Sequence, residues 1–201
     1  MGAESKTKQI LEIVQAGGML RAKDLKLDPH SRRYLARLAE RGLIERIGRG
    51  IYTTTAAEIS EHHTLAEASL RVPHAVICLL SALRFYDLTT EAPFATWIAI
   101  ENKARTPHLD YPHLQVVRMS GASLSSGIEE HLIEGVRVRV YTPAKTVADC
   151  FKFRSRIGLD VALEALRDYR RQRMGSMDEL WKYAQICRVT RIIQPYLEVL
   201  G

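Results

Sequence analysis

Apolar residues in the first part of the chain recur at the intervals typical of short helices. Residues 6–15 carry apolar side chains at near-helical spacing and are followed by two glycines, which predicts a first helix that ends there. A brief second helix is predicted over residues 21–25, where Ala22 and Leu25 stand three apart. The Asp-Pro dipeptide at residues 28–29 then predicts a short turn before the next helix.

The third predicted helix is strongly amphipathic. Over residues 30–41, Leu35 and Leu38 form an apolar stripe that would face a core. Gly42 follows at the position where a glycine commonly caps a helix C-terminus. The second and third helices are therefore expected to be joined by a short turn.

A two-stranded ribbon is predicted after the third helix. Residues 43–47 and 51–55 have the short apolar patterns of strands, and the Gly48-Arg49-Gly50 sequence between them allows the positive φ angles of a tight hairpin turn. Three helices followed by such a ribbon predict a winged helix-turn-helix domain over residues 1–57.

The remaining residues, 58–201, are predicted to form a second domain of mixed α+β structure. Valines alternate with arginines over residues 136–141, which predicts a half-buried strand that pairs with residues 131–133. Thr142 and Pro143 suit the N-cap and first position of a helix. Further helices are predicted over residues 62–71, 74–87, 143–153, 158–173, 177–185 and 189–199, and further strands over residues 94–100 and 113–119. The whole chain is thus predicted to belong to the α+β class.

Composition agrees with a folded chain that binds an acidic partner. The 201 residues are 46% hydrophobic and 26% charged, which suffices for one or two domains with a real core. Twenty-nine Lys and Arg against 23 Asp and Glu give a net charge of +6, which favours nucleic acid or an anionic membrane surface. No apolar stretch approaches the roughly 18 residues of a membrane span. Together with three widely spaced cysteines, this predicts a cytoplasmic protein without disulfides, bound metal or membrane partner.

The positive charge is concentrated on the third helix and the ribbon turn. Residues 30–49 contain six arginines and two glutamates, a net charge of +4. With Leu35 and Leu38 facing inward, Arg33 and Arg37 fall on the outward face, where guanidinium groups can donate to guanine edges or clamp phosphates. A merely solvated helix face is the alternative. The predicted DNA-binding residues are His30, Arg32, Arg33, Arg37 and Arg41 on the helix, and Arg49 at the ribbon turn, within reach of a backbone or minor groove.

An enzymatic alternative rests on Glu101 and Lys103. Their spacing after a predicted strand is that of metal-dependent nucleases, in which the carboxylate binds Mg²⁺ and the lysine steadies the attacking water. Such a site needs another acidic ligand, for which Asp87 and Glu91 are the nearest candidates. No GxSxG, HExxH, P-loop or GxGxxG motif occurs, so the main prediction is a protein without catalytic residues, metal or cofactor.

Two further charged features have structural explanations. Asp149 is expected to be buried and to form an ion pair with an arginine such as Arg154. A second basic cluster lies at the end of a predicted helix, where the backbone dipole favours cations; holding DNA is the alternative. This cluster comprises Arg167, Arg170, Arg171 and Arg173.

Several segments of the chain match a known family. The most specific are Tyr-Thr-Pro-Ala-Lys-Thr-Val-Ala-Asp-Cys-Phe at residues 141–151 and Gly-Leu-Asp-Val-Ala-Leu-Glu-Ala-Leu at residues 158–166. Shorter matches lie at residues 17–25, 33–38, 42–44 and 49–52. With these segments, which span nearly its full length, the chain resembles the AbiEi family of type IV toxin–antitoxin antitoxins, a family of transcriptional regulators.

The resemblance implies both a DNA partner and a functional protein partner. It implies an N-terminal winged helix that binds inverted repeats in the promoter of its own operon and represses it. It also implies a C-terminal domain that acts as antitoxin against a co-encoded nucleotidyltransferase-like toxin, without requiring a stable complex. The family supplies no catalytic residue, and the oligomeric state stays open.

The sequence therefore supports three functional hypotheses of different classes. The first is a sequence-specific DNA-binding repressor and antitoxin. The second is a DNA nuclease with its site at Glu101 and Lys103, which must cleave DNA in the presence of Mg²⁺ or Mn²⁺. The third is a module whose winged helix docks another protein instead of DNA.

Overall fold

A computed structural model of the protein describes residues 2–23, 31–48, 50–54 and 60–200, without the side chains of residues 2–6, 15–17, 20, 31, 32 and 200. The chain divides into two compact units. The first comprises Met1–Pro73 and His131–Val138, and the second comprises His74–Glu130 and Arg139–Gly201. The predicted domain boundary at residues 57 and 58 falls outside the described residues and stays a prediction.

The first unit combines helices with a small antiparallel sheet. Its described elements are α1 (Gly2–Gly17), β1 (Met19–Arg21), α2 (Ser31–Glu40), β2 (Ile44–Gly48), β3 (Ile51–Thr54) and α3 (His63–Arg71). The strand order is β1-β3-β2, with both neighbouring pairs antiparallel. The predicted first and third helices, the two-stranded ribbon and the helix at residues 62–71 are confirmed.

The predicted second helix over residues 21–25 is wrong at its start. Arg21 pairs with Ile51 as the last residue of β1, and the Ala22 N–H donates to the Gly50 carbonyl at 2.8 Å. A strand of three residues owes its state to the partner that pairs with it, and β3 lies far along the chain, so local spacing does not reveal it. The remainder of the predicted helix, and the turn at residues 28–29, lie outside the described residues.

A compact apolar cluster joins α1, α2 and the ribbon. Leu35 and Leu38 are fully buried, as the amphipathic pattern predicts. The cluster consists of Ile10, Val14, Leu35, Leu38, Ile44 and Tyr52. Successive side chains of a strand point to opposite faces, and Ile51 and Thr53 are buried as well, so β3 is covered on both sides. The direction of α2 relative to the ribbon is therefore set by packing.

Glu134 ties a turn from later in the chain to β1 and α3. Its carbonyl accepts from Met19 N at 3.0 Å, and its carboxylate accepts from the Ser60 backbone and hydroxyl and contacts His63 Nδ1 at 2.7 Å. Burial acts to raise the pKa of the Glu134 carboxyl, but these contacts outweigh it and hold the pKa below its ordinary value. Gly18 is confined to glycine here, because a Cβ would lie 2.7 Å from the Glu134 carbonyl oxygen.

The second unit is a mixed sheet with helices. The sheet order is β6-β5-β4-β8-β7, in which β4 is antiparallel to β5 and parallel to β8, while β5 and β6 are parallel. Its strands are β4 (Val76–Ile77), β5 (Thr96–Glu101), β6 (Leu114–Met119), β7 (Ile128–Ile133) and β8 (Val136–Tyr141), the last two shared with the first unit at their turn. Its helices are α4 (Leu79–Phe85), α5 (Ala122–Ser125), α6 (Pro143–Lys152), α7 (Arg154–Ile157), α8 (Leu159–Arg171), α9 (Met177–Cys187) and α10 (Thr190–Leu200). The predicted α+β class is confirmed.

The single helix predicted over residues 74–87 is wrong in its first half. Val76 and Ile77 form the buried strand β4, where Val76 pairs with Ala99 and Ile77 with both Ile98 and Val140. A short apolar run fits a buried strand or a buried helix equally well by periodicity. The sheet partners on both sides decide the matter, and α4 begins only after them.

Helix α6 is the buried centre of the second unit. Thr142 caps it as predicted, with its hydroxyl accepting from Lys145 N at 3.3 Å. The helix is buried from Pro143 to Phe151 and packs against α4, α8 and α9. Among the described helices of the protein, none combines the length and apolarity required to cross a bilayer.

A charged pair lies inside this core, with a different partner from the one expected. Lys145 Nζ donates to Asp149 Oδ2 at 2.5 Å, and both side chains are fully buried. Arg154, the predicted partner of Asp149, instead donates to the Phe151 carbonyl. Cys187 Sγ donates to the other carboxylate oxygen at 3.1 Å, and burial raises the pKa of the Asp149 carboxyl while Lys145 opposes the shift. The pair joins one turn of α6 to α9.

Removal of the cation from this pair is expected to cost far more than removal of both charges. Lys145→Met leaves a buried carboxylate without its partner and should lower the free energy of unfolding by about 3–5 kcal/mol. Lys145→Met combined with Asp149→Leu should recover much of that loss. Urea unfolding followed by Trp97 and Trp181 fluorescence, both in the second unit, measures the difference.

The matched control is a pair in the same unit whose cation is exposed. Arg171 contacts Asp168 at 2.9 Å with 72% of its side chain exposed, so Arg171→Gln should cost about 1 kcal/mol or less. A Lys145→Met loss no larger than this control, or a double variant as unstable as the single one, contradicts the assigned role.

Candidate nucleic-acid interface

Helix α2 presents the predicted basic face to solvent. Leu35 and Leu38 are fully buried, whereas Arg33 and Arg37 on the opposite side are exposed. Ala36, which lies between them on that face, is exposed as well. The assignment of inward and outward faces from helical periodicity is confirmed, and the two guanidinium groups stand one turn apart.

The arginines of this face have no partners within the described part of the protein. The side chains of Arg33, Arg37 and Arg41 form neither a hydrogen bond nor an ion pair there. Glu40, exposed on the same helix, likewise pairs with none of them. Their hydrogen-bond donors are therefore open to an external acceptor. We refer to Arg33, Arg37 and Arg41 as the basic face.

The other predicted DNA-binding side chains are not among those that the structure describes. Arg32 belongs to α2, but its side chain is not among the described ones. His30 and Arg49 lie outside the described residues altogether. Their assigned roles accordingly stay predictions.

A groove beside α1 adds a cation that sequence reasoning did not select. The groove has a volume of about 250 Å³, and Lys8 from α1 lines it together with Arg37 and Arg41. Leu11 and Leu43 contribute apolar walls, and no carboxylate lines it. Lys8 was missed because its position on α1 relative to α2 depends on packing between the two helices.

The ribbon has the geometry of a tight hairpin. Arg46 pairs with Tyr52 and Gly48 with Ile51, with an irregularity in register between Arg46 and Gly48. Gly50 has φ +72°, a conformation that strongly favours glycine. The prediction of a Gly-dependent turn is confirmed at this residue.

Strand β1 brings two more cations to the end of the ribbon. Ala22 N donates to the Gly50 carbonyl, so the neighbours of Ala22 lie beside the hairpin turn. Arg21 contacts the Ser69 carbonyl at 3.4 Å, and Lys23 is exposed. Sequence reasoning overlooked their proximity because it placed both in a helix. The Gly-Gly pair before a Met-Leu dipeptide was the available signal for a turn into a strand.

The residues of the predicted nuclease site, Glu101 and Lys103, form a turn. The Glu101 carboxylate accepts from the Lys103 backbone N–H at 2.6 Å, and Arg118 donates to the carbonyls of Asn102 and Ala104. These bonds stabilise the turn that follows β5. In the part of the chain that the structure describes, no group of three or more His, Cys, Asp or Glu side chains is arranged to hold a metal ion.

The C-terminal basic cluster lies at the end of α8, as its sequence position predicts. Arg170 and Arg171 are in the last turn of that helix, and all four arginines of the cluster are exposed. Arg171 is paired with Asp168, so its charge is partly compensated within the helix. This arrangement agrees with favourable placement of cations at a helix C-terminus.

Comparison with known proteins identifies one relationship. Residues 8–55 match the model of a family described as a transcriptional regulator, AbiEi antitoxin. The matched segment runs from α1 to the end of the ribbon and contains the basic face. The family resemblance is confirmed over this segment, which does not extend to the blocks at residues 141–151 and 158–166. No curated protein matches the sequence.

Proposed function

We propose that the chain is a winged-helix repressor that binds the promoter of its own operon and acts as antitoxin to a nucleotidyltransferase-like toxin. The family match at residues 8–55 supports a DNA-binding transcriptional regulator. The observation that carries the proposal is the basic face, whose three exposed arginines have no partner among the residues that the structure describes. Arg33 and Arg37 lie on a helix whose other side is packed in a core.

The dimensions of α2 suit the major groove of DNA. A helix with its side chains is about 10–12 Å across, close to the width of about 12 Å that the groove offers. Arg33 and Arg37 then contact base edges or phosphates along one side of the groove, and Arg41 lies at its edge. Arg32 and His30 are proposed to flank the contact, and Arg49 at the hairpin turn to reach the backbone or minor groove.

Arg33 is the strongest single candidate for a base contact. It is the third residue of α2, in a first turn that holds no acidic side chain. The helix dipole disfavours a cation there, and nothing in the described protein compensates for it. Recognition helices contact bases mainly through their N-terminal residues, so an unfavourable position for stability is a favourable one for binding.

The proposed regulatory circuit is the one that the resemblance to the AbiEi family implies. The DNA partner is proposed to be inverted repeats upstream of the chain's own gene, and the second unit to provide the antitoxin activity. No direct contact with the toxin is proposed. The arginines of the basic face, which have no partner among the described residues, favour DNA over a protein as the ligand of this surface, because they offer many hydrogen-bond donors to a polyanion.

Loss of either arginine of the outward face is expected to weaken DNA binding. Arg33→Ala and Arg37→Ala should each cost about 1–3 kcal/mol where the guanidinium contacts a base. Where it contacts a phosphate, the slope of log K against log salt should fall by about 1. Fluorescence anisotropy with a labelled duplex from upstream of the gene, titrated at several salt concentrations, measures both quantities.

The control variant removes the same charge from another exposed helix position. Arg84→Ala, in the last turn of α4, should leave the affinity unchanged. Wild-type binding that is insensitive to salt and to both substitutions in α2 contradicts the assignment of the DNA-binding surface.

Stability and affinity are expected to change in opposite directions at Arg33. Replacement by alanine removes a cation from the first turn of α2, which should raise the free energy of unfolding by about 0.3–1 kcal/mol. The same change should weaken DNA binding. Thermal unfolding without DNA gives the change in stability, and the anisotropy titration gives the change in affinity. Arg37→Ala serves as the comparison, because removal of a cation from the last turn of α2 is not expected to stabilise the helix. A destabilised Arg33→Ala protein would contradict this view of α2.

Repression and toxin neutralisation are expected to separate genetically. Arg37→Ala should derepress a reporter driven by the upstream region, because it weakens operator binding. It should still protect cells that express the nucleotidyltransferase-like toxin of a neighbouring gene, because the second unit is unchanged. Simultaneous loss of both activities, with wild-type protein levels on immunoblots, would show that antitoxin action requires DNA binding.

A further inference from the structure

The end of α3 holds the ribbon through one partly buried guanidinium group. Arg71 Nη2 donates to the Ile47 carbonyl at 2.6 Å, on the strand residue that precedes Gly48. The same side chain donates through Nε at 2.9 Å and Nη2 at 2.5 Å to Glu67 Oε1. The Glu67 side chain is only 3% exposed and that of Arg71 18%, so the guanidinium–carboxylate pair is largely shielded from solvent.

The ribbon is shaped to receive this guanidinium group. A Cβ on Gly48 would lie 2.8 Å from both terminal nitrogens of Arg71 and 3.0 Å from its Cζ. A contact this short requires the guanidinium group to shift, and a shift would strain or break its bonds to Glu67 and the Ile47 carbonyl. Unlike Gly50, Gly48 does not have a positive φ, so its lack of a side chain is explained by this close approach.

The charge of Arg71 is compensated inside the protein. Its carboxylate partner lies one helical turn away and is almost fully buried, whereas the arginines of the basic face have no partner in the part of the chain that the structure describes. The Nε and Nη2 donors of Arg71 are occupied by Glu67 and the Ile47 carbonyl, which leaves only Nη1 for an external acceptor. The group is therefore suited to hold the ribbon and poorly placed to bind a ligand itself.

We propose that Arg71 and Glu67 act as a clamp that fixes the β2–β3 hairpin in the orientation in which it contacts DNA. The clamp comprises Arg71, Glu67, the Ile47 carbonyl and Gly48. Arg71 is thus a positioning residue for DNA binding that does not touch DNA. This inference rests on the proposed function and adds that the ribbon is a fixed element whose orientation is set from α3.

The mechanism depends on where the clamp acts. It grips β2 at Ile47 and Gly48, immediately before the turn, and Arg49 follows in sequence. A hairpin anchored at that point loses less conformational freedom when its turn contacts DNA, because part of the ordering cost is met on folding. Without the clamp, the pairing of β2 with β3 is weaker at the turn, and the turn must be ordered on binding.

Two variants remove the clamp by independent routes. Glu67→Leu with Arg71→Met deletes both charges together, which leaves no buried carboxylate stranded and keeps the net charge of the protein. Gly48→Ala keeps every charge and places a methyl group where the guanidinium lies. Each should weaken binding to the upstream duplex about tenfold, and Gly48→Ala should have no further effect in the Glu67→Leu/Arg71→Met background.

A double-mutant cycle with Arg49→Ala tests the route through the hairpin turn. If the clamp acts by positioning the turn, its loss should cost little once Arg49 has been removed, so the two effects are strongly non-additive. Additive losses, or a clamp loss alongside an Arg49→Ala variant that binds like wild type, overturn the proposal. A purely structural role would leave the losses additive.

Amide hydrogen exchange without DNA provides the second readout. Loss of the clamp should speed exchange at residues 50–54 while the buried part of α2 keeps its protection. Unchanged exchange at the hairpin overturns the clamp whatever the DNA result. Failure of the wild-type protein to bind the duplex would instead defeat the proposed function and this inference together, whereas wild-type binding with additive variant losses defeats the clamp alone.

Discussion

Burial of Leu35 and Leu38 is the constraint on which the proposed DNA surface depends. A helix of ten residues such as α2 has marginal stability alone, so its conformation and rotation are set by the core that it shares with α1 and β2. With these two leucines fully buried, the helical period leaves no choice about where Arg33 and Arg37 point. The basic face is thus a consequence of apolar packing on the other side of the same helix, and a change in that packing would rotate every donor at once.

Local signals predicted the elements that local interactions stabilise. Helices α1 and α2 were found from their apolar period, the ribbon from its glycines, and the start of α6 from Thr142 and Pro143. The strand β4 and the last residue of β1 were mistaken for helix because these short strands owe their state to partners distant in sequence. The outward face of α2 was predictable for the same reason as the helix, whereas the clamp was not, since Arg71 and Ile47 are separated by 24 residues.

Asp149 shows a middle case, in which the type of interaction was predictable and the partner was not. Its burial was expected from the apolar residues around it, and an ion pair was the expected compensation. The nearer cation in the helical sense is Lys145, four residues earlier and therefore on the same face of α6. The spacing of four residues alone is thus sufficient to identify Lys145 as the partner of Asp149, although an arginine was expected. The Lys145–Asp149 pair lies inside the close-packed core of the second unit, where it stabilises the fold.

The cations of this protein divide by whether the fold satisfies them. Arg71, Arg118 and Lys145 each donate to acceptors within their own unit, where they order a strand end, a turn and a buried helix. Among the described residues, the basic face has no such acceptor, although its members follow one another at intervals of four, a spacing at which like charges on a helix destabilise it by roughly 0.2–0.5 kcal/mol per pair. This uncompensated row bears a stability cost at one surface. Proteins accept such costs where function requires them, and a polyanionic ligand would relieve this one on binding.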